Sequence, residues 1–229
     1  CYICEGQNNF DAEYCRYCSA PMALAHQADK AKIPPTMVAA MGVSGVGKTV
    51  YLGMLMDMLS RSSGDTRLLA RGAFSINLQQ ATVGALADCG FPGKTPNEPD
   101  HWNWVHCQVR TTGMRNPLDL IMPDMAGEAL LEEMDHPHTF RVISAFLQKC
   151  SGSLILVDAV KLIEGGQDQE FFTMKLTSYL GEIGGRRKND WSKRPIAIVF
   201  TKADRSEECM ENPEDFAKAH ATGLWEQCR

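Results

Sequence analysis

Two groups of residues in this chain have types and spacings that can do chemistry. The first is Cys1, Cys4, Cys15 and Cys18, two C-x-x-C pairs separated by ten residues. Each turn can present two thiolates to one ion, and two turns complete the four-sulfur tetrahedron that zinc prefers. Two disulfides are the alternative for the same four residues, and a reducing compartment disfavours them. The second group is Gly42-Val43-Ser44-Gly45-Val46-Gly47-Lys48-Thr49, which matches G-x-x-x-x-G-K-[ST] at every fixed position. Its glycines let backbone N–H groups, from Gly42 and Ser44 through Gly45, Val46 and Gly47 to Val50, surround phosphate oxygens without side-chain clash. The helix that follows adds partial positive charge at its N-terminus. Lys48 is placed to neutralise β- and γ-phosphates, and the Thr49 hydroxyl to coordinate Mg²⁺.

Two further runs bear on which nucleotide such a loop would hold. Asp124-Met125-Ala126-Gly127-Glu128 follows the apolar stretch Leu118 to Met122. An acid there can reach the magnesium ion, and the Gly127 amide can sense a γ-phosphate. Thr201-Lys202-Ala203-Asp204 follows the apolar stretch Ile196 to Phe200. A carboxylate at Asp204 can accept from guanine N1–H and from its exocyclic amine. Adenine offers no such donor pair and would leave the acid unpaired. Lys202 can pack its stem over the base.

In this order the three runs resemble the GTPase class that includes Ras-like and translation-factor proteins, over about residues 36 to 204. The base-reading run usually begins with Asn; here it is Thr201, as in some Rho-type members. The layout is more specifically similar to bacterial double-GTPase proteins, in which a zinc ribbon can precede a divergent GTPase domain. The features behind that likeness are the long insertion between Thr49 and Asp124 and the run Pro123 to Glu128. Cys15 to Pro21 resembles the second knuckle of a zinc ribbon, with Glu5 and Ser19 where many ribbons carry Gly. The resemblance implies GTP and GDP as ligands, Mg²⁺ held by Thr49, Thr95 and Asp124, and structural Zn²⁺. It implies hydrolysis of GTP in a nucleotide-dependent switch. Thr95, in the Gly- and Pro-rich run Gly90 to Pro96, is the expected switch threonine. Glu128 stands where Ras-like proteins carry the glutamine that orients the attacking water. With Lys48 and Thr95 it completes the expected catalytic set, and slow intrinsic turnover that needs a partner's arginine is expected. The alternatives are a GTP-binding scaffold with little hydrolysis whose zinc ribbon docks partners, or an ATPase of the same superfamily.

Positioning these residues requires strands that end where the runs begin. Thr36 to Met41, Leu118 to Met122, Leu154 to Val157 and Ile196 to Phe200 are continuous apolar stretches, the mark of strands buried on both faces. Trp102 to Thr111 alternates, with Trp102, Trp104, His106 and Gln108 on one face and Val105, Cys107 and Val109 on the other. Helical spacing appears over Lys48–Ser60, Ser75–Cys89, Arg141–Lys149, Gln167–Ile183 and Glu214–Cys228. The expected fold is α/β: a P-loop NTPase three-layer sandwich with a mostly parallel sheet, plus a small N-terminal zinc ribbon. Residues 1–24 form the expected ribbon, 25–35 a linker and 36–229 the GTPase domain; the Ala-rich stretch 19–35 reads as a short helix or linker ending at Pro34-Pro35. No clear last guanine-contacting loop follows Asp204, so that domain is expected to be cut before its last strand.

Composition agrees with a globular chain: 229 residues, 44% hydrophobic and 22% charged, with a net charge of −5. No apolar run approaches the ~20 residues that span a bilayer. Tyr2, Phe10, Tyr14 and Tyr17 have the chemistry to stack on bases. Without clustered Lys or Arg, nucleic acid is unsupported as a partner, and covering the ribbon's small core is the expected role of these rings. Protein effectors or a second GTPase are the expected partners, in a cytoplasmic setting. The nine cysteines divide into four zinc ligands and five single thiols, Cys89, Cys107, Cys150, Cys209 and Cys228. His136 and His138, and the run Arg186-Arg187-Lys188, are expected on solvated loops.

Overall fold

A computed structural model describes residues 1–31, 34–62, 64–183 and 194–228. The first strand, β1 (Thr36–Met41), leaves Pro35 and takes the centre of a six-stranded sheet. It pairs in parallel with β4 (Leu118–Pro123) on one side and β5 (Gly152–Asp158) on the other, and β6 (Ile196–Thr201) continues parallel beyond β5. Beyond β4 lie β3 (Trp104–Thr111) and β2 (Thr66–Ala70), both antiparallel to their neighbours. The order is therefore β2-β3-β4-β1-β5-β6. From β1 the chain runs to β2 at the far edge, returns through β3 and β4, and then passes β1 to reach β5 on its other side. In open sheets of this kind ligands bind outside the carboxyl ends of the strands where the order reverses.

Both faces of the sheet are covered. On one face α2 (Lys48–Arg61) and α3 (Gly72–Ala87) place Leu52, Met56 and Leu78 against Ala40, Val105, Cys107, Met122 and Leu156. On the other lie α4 (Gly127–Asp135), α5 (Arg141–Lys149) and α7 (Gln167–Ile183). There Val142, Ile143, Phe146 and Leu147, the apolar stripe of α5, pack with Met37, Met41, Trp104, Ile121 and Ile155. The Trp104 and Phe146 rings meet edge to face at 5.9 Å. Each fully buried side chain of this size contributes ~1.5–3 kcal/mol. The expectation of a mostly parallel sheet between helical layers is met. The short helices α6 (Ala159–Ile163), α8 (Glu207–Glu211), α9 (Pro213–His220) and α10 (Thr222–Cys228) complete the chain.

The N-terminal segment is not a free appendage. Helix α1 (Met22–Ala31) occupies most of the stretch expected as a linker. Ile3, Met22 and Leu24 belong to the same apolar cluster as Met37 and Trp104. Lys149 Nζ donates to the Tyr2 carbonyl at 3.1 Å and pairs with Glu5 at 2.7 Å. Gln27 Oε1 stands 2.6 Å from His106 Nδ1 on β3.

Several boundaries differ from the pattern. Trp102 lies outside β3, because a 3₁₀ turn at Pro99–His101 precedes the strand and the indole N–H donates to Pro96 O at 2.9 Å. Trp102 is buried all the same. Strand β2 has no counterpart in the periodicity, since only Leu68 of its five residues is buried. The single helix expected over Glu214–Cys228 breaks at Ala221, where φ is −141° and ψ 52°. His136 and His138 are exposed. Cys107, Cys150 and Cys209 are buried and Cys89 is exposed. Arg186, Arg187, Lys188 and the Cys228 side chain lie outside the described residues. Among those described, no helix is long and apolar enough to cross a membrane.

Candidate nucleotide and metal sites

The phosphate loop runs from the end of β1 to the start of α2. Val46 anchors it, with its side chain in the core beside Leu52. Gly47 caps α2 at φ 97°, a left-handed conformation that costs little only in glycine. Lys48 is only 7% exposed, and its Nζ donates to the carbonyls of Gly42 at 2.9 Å and Val43 at 3.0 Å. Burial lowers the Lys48 ammonium to about 8, against the opposing pull of Asp124 and Glu128.

Beneath the loop three sequence-predicted residues meet. Thr49 Oγ1 donates to Asp124 Oδ2 at 2.9 Å, Thr95 Oγ1 donates to the same oxygen at 3.0 Å, and the two hydroxyls are 3.1 Å apart. Asp124 is fully buried at the end of β4, and its Oδ1 has no hydrogen-bond partner. Burial raises the Asp124 carboxyl, and the two threonines and Lys48 only partly offset that. A buried carboxylate with a free oxygen beside two hydroxyls fits a hard cation such as Mg²⁺, which takes oxygen ligands. Thr49, Thr95 and Asp124 are the residues that would hold it.

Next along the chain, Gly127 presses against the phosphate loop. A Cβ there would stand 2.4 Å from Ser44 N and 2.6 Å from the Val43 carbonyl carbon, so only glycine allows this approach. Glu128 Oε1 pairs with Lys94 Nζ at 2.6 Å. Burial would raise its carboxyl, but Lys94 and the Ser44 hydroxyl outweigh this and hold it below the ordinary range. Across the cleft, Thr201 Oγ1 donates to Val157 O at 3.3 Å. Lys202 is left-handed at φ 55°, which costs roughly 1–2 kcal/mol outside glycine. Its ammonium lies 2.5 Å from Asp158 Oδ2. Asp204 is exposed at the rim.

One cleft of about 790 Å³ is lined by residues 44–51, 91–95, 126–128, 199–202 and Asp204. It takes in Ser44, Gly45, Val46, Gly47, Lys48, Thr49, Val50, Thr95, Gly127, Glu128, Thr201 and Lys202. Gly42 and Asp124 support it from beneath, through Lys48 and through the two threonines. The sequence reasoning missed Asp158, Lys94 and Phe91. Asp158 ends a parallel strand, caps α6 by accepting from Val160 N and Lys161 N, and holds Lys202. Its place at the carboxyl end of β5 was the signal available.

At the other end of the chain, the four sulfurs of Cys1, Cys4, Cys15 and Cys18 all lie within 4.8 Å of one another. Cys1 and Cys18 are 3.7 Å apart and Cys4 and Cys15 are 3.5 Å apart. A tetrahedron with Zn–S of about 2.3 Å has edges of about 3.8 Å. All four are free thiols, so neither disulfide is formed. Glu5 and Ser19, where ribbons carry glycine, have φ of 61° and 62°. Burial raises the Cys15 thiol, but N–H donors from Tyr17, Cys18 and Asn8 outweigh it and bring it down to about 7. Burial pushes the Cys18 thiol up. Four thiolates so close repel unless a cation sits among them, and N–H groups aimed at sulfur suit thiolate ligands. The cluster fits structural zinc with no open position.

Comparison with curated proteins finds no match. A family described as Double-GTPase 1 matches residues 39–200. That span holds the phosphate loop, Thr95 and the Asp124–Glu128 run, and it ends just before Thr201. It covers well over half of the chain, which therefore belongs to the Double-GTPase 1 family.

Proposed function

We propose that this protein binds GTP with Mg²⁺ and hydrolyses it to GDP and phosphate, and that partners read its nucleotide state. The observation that carries this reading is the meeting of Thr49, Thr95 and Asp124 beneath a complete phosphate loop. Family membership supports GTP as the nucleotide. So does the run 201–204 across the same cleft.

The roles follow from position. Backbone N–H groups of the loop hold the β- and γ-phosphates, and Lys48 turns from the Gly42 and Val43 carbonyls to phosphate oxygen. Magnesium, when bound, neutralises charge on the transferring and leaving oxygens. Thr95 would hold the ion beside Thr49 and Asp124, and a γ-phosphate would strengthen that hold, which would tie the 91–95 loop to nucleotide state. Glu128 orients the attacking water. Asp204 accepts from N1–H and the exocyclic amine of guanine, and Lys202 covers the base. Zinc at the four cysteines is structural. Protein effectors or a second GTPase in the cytoplasm are the proposed partners and setting.

A second reading, a GTP-bound scaffold with little hydrolysis, is favoured by one observation. The Glu128 carboxylate is engaged by Lys94 and Ser44 rather than free to take a proton from water. Single-turnover hydrolysis separates the two. The base assignment is tested by Asp204→Asn. GTP affinity should fall at least tenfold, and xanthosine triphosphate, whose C2 carbonyl accepts, should gain. Unaltered GTP binding, or equal competition by ATP in the parent protein, would refute guanine recognition.

A further inference from the structure

Three lysines line the nucleotide cleft among the described residues: Lys48, Lys94 and Lys202. Lys48 is turned into the loop carbonyls, and Lys202 is committed to Asp158. Lys94 sits one residue before Thr95, and its ammonium lies 2.6 Å from Glu128. Glu128 follows Gly127, whose backbone is pressed onto Ser44 and Val43 of the phosphate loop. Glu128 lines the same cleft as Ser44 to Thr49, so its carboxylate would meet the negative charge that a third phosphate on that loop would add. Two anions in one cleft repel, and the repulsion falls on the triphosphate rather than the diphosphate. Lys94 is the cation placed to remove it.

We infer that Lys94 is a positioning residue: it cancels the charge of Glu128, ties Glu128 to the Thr95 loop, and so lets the cleft prefer nucleoside triphosphate over diphosphate. The inference rests on the reading that this cleft binds GTP. It differs from a direct cationic contact to the phosphate, because its effect passes through Glu128 and disappears when Glu128 carries no charge.

The test uses the full chain with Mg²⁺ and measures affinities for a non-hydrolysable GTP analogue and for GDP. The variants are Lys94→Met, Lys94→Arg, Glu128→Gln and the double Lys94→Met/Glu128→Gln. Lys94→Met should shift the triphosphate-to-diphosphate preference by about tenfold toward GDP, the effect of one unpaired charge about 6 Å away at an effective dielectric of about 40. Lys94→Arg should restore the parent preference. In the Glu128→Gln background, Lys94→Met should change the ratio less than twofold. A shift that persists in that background would place Lys94 on the phosphate itself and overturn the inference, as would no shift in the single variant. Failure of GTP hydrolysis with these ratios intact would count against the proposed activity and leave the Lys94–Glu128 pair standing. Should the parent chain prefer adenine nucleotides, the same ratio with an ATP analogue and ADP decides the pair. Binding of no nucleotide would overturn both.

Discussion

Replacing Lys48 by methionine should make the nucleotide-free protein more stable while removing its hold on phosphate. The Lys48 side chain is buried, and burial lowers its ammonium from the usual 10.5 to about 8. Holding it charged at pH 7 therefore costs ~3 kcal/mol. Its two bonds to the Gly42 and Val43 carbonyls return part of this, ~1 kcal/mol each. Methionine keeps the stem's volume and drops the charge, for a net gain of ~1–2 kcal/mol. In a chain of this size each kcal/mol raises Tm by about 2–4 °C. The sign with pH follows from linkage. The folded state binds the Lys48 proton more weakly, so the penalty is complete below pH 8 and fades as pH rises toward 10.5. Between pH 7 and 9.5 the parent protein should gain ~2 kcal/mol relative to the variant. Urea unfolding of both proteins at the two pH values measures this, with phosphate binding followed by a fluorescent nucleotide. A variant less stable at pH 7, with a pH dependence parallel to the parent's, would refute the claim that burial governs Lys48.

Other outcomes follow from the same geometry. The purified chain should hold one zinc per molecule, and a strong chelator should release it and lower Tm, because Ile3, Met22 and Leu24 share the core with Trp104. No metal after reduction and anaerobic refolding would contradict the zinc assignment. Thr95→Ala should weaken Mg²⁺-dependent binding of the triphosphate while leaving GDP affinity within about twofold. A change of equal size for both nucleotides would remove Thr95 from the switch. Burial lowers the imidazolium of His106, with Asp119 opposing and Arg71 adding to it. Unfolded chains bind that proton first, so His106 should cost stability as pH falls through ~6.5. The urea midpoint of the parent should drop more between pH 7.5 and 5.5 than that of His106→Gln. Equal drops would mean that the Gln27 contact, rather than protonation, governs the site.

What the sequence made legible depended on how local the signal was. The phosphate loop and the two C-x-x-C pairs are short and stereochemically demanding, so residue types alone placed them. The continuous apolar strands β1, β4 and β5 are largely buried and read directly. Equally apolar, β6 reads as buried on both faces but is an edge strand whose residues are exposed or half-buried, because no further strand among the described residues pairs beyond it. Thr95 was reachable because it lies in a Gly- and Pro-rich loop, and its hydroxyl meets Asp124 in the fold. Strand β2 was not legible: it is an edge strand with one buried residue, and its pairing with β3 is a property of the sheet. The helix over Met22–Ala31 was legible as one reading of the Ala-rich stretch before Pro34-Pro35, but its contact with β3 through Gln27 and His106 was not, because β3 arrives much later in the chain. Long-range ion pairs such as Lys202 with Asp158 and Lys94 with Glu128 leave no mark in spacing. Glu133 is another case. It is fully buried and accepts from His138 N, Phe140 N and Tyr179 Oη, which reads in sequence as one more acid of an amphipathic helix.

The central claim is that the Thr49–Thr95–Asp124 cluster makes this cleft a magnesium-dependent GTPase site. Single-turnover hydrolysis of labelled GTP, with and without Mg²⁺, on the parent chain and on Asp124→Asn, tests it most directly. Slow release of phosphate that needs Mg²⁺ and falls at least tenfold in Asp124→Asn is the predicted result. Hydrolysis that is indifferent to Mg²⁺ and to Asp124, or no hydrolysis by the parent chain under any condition, would contradict it.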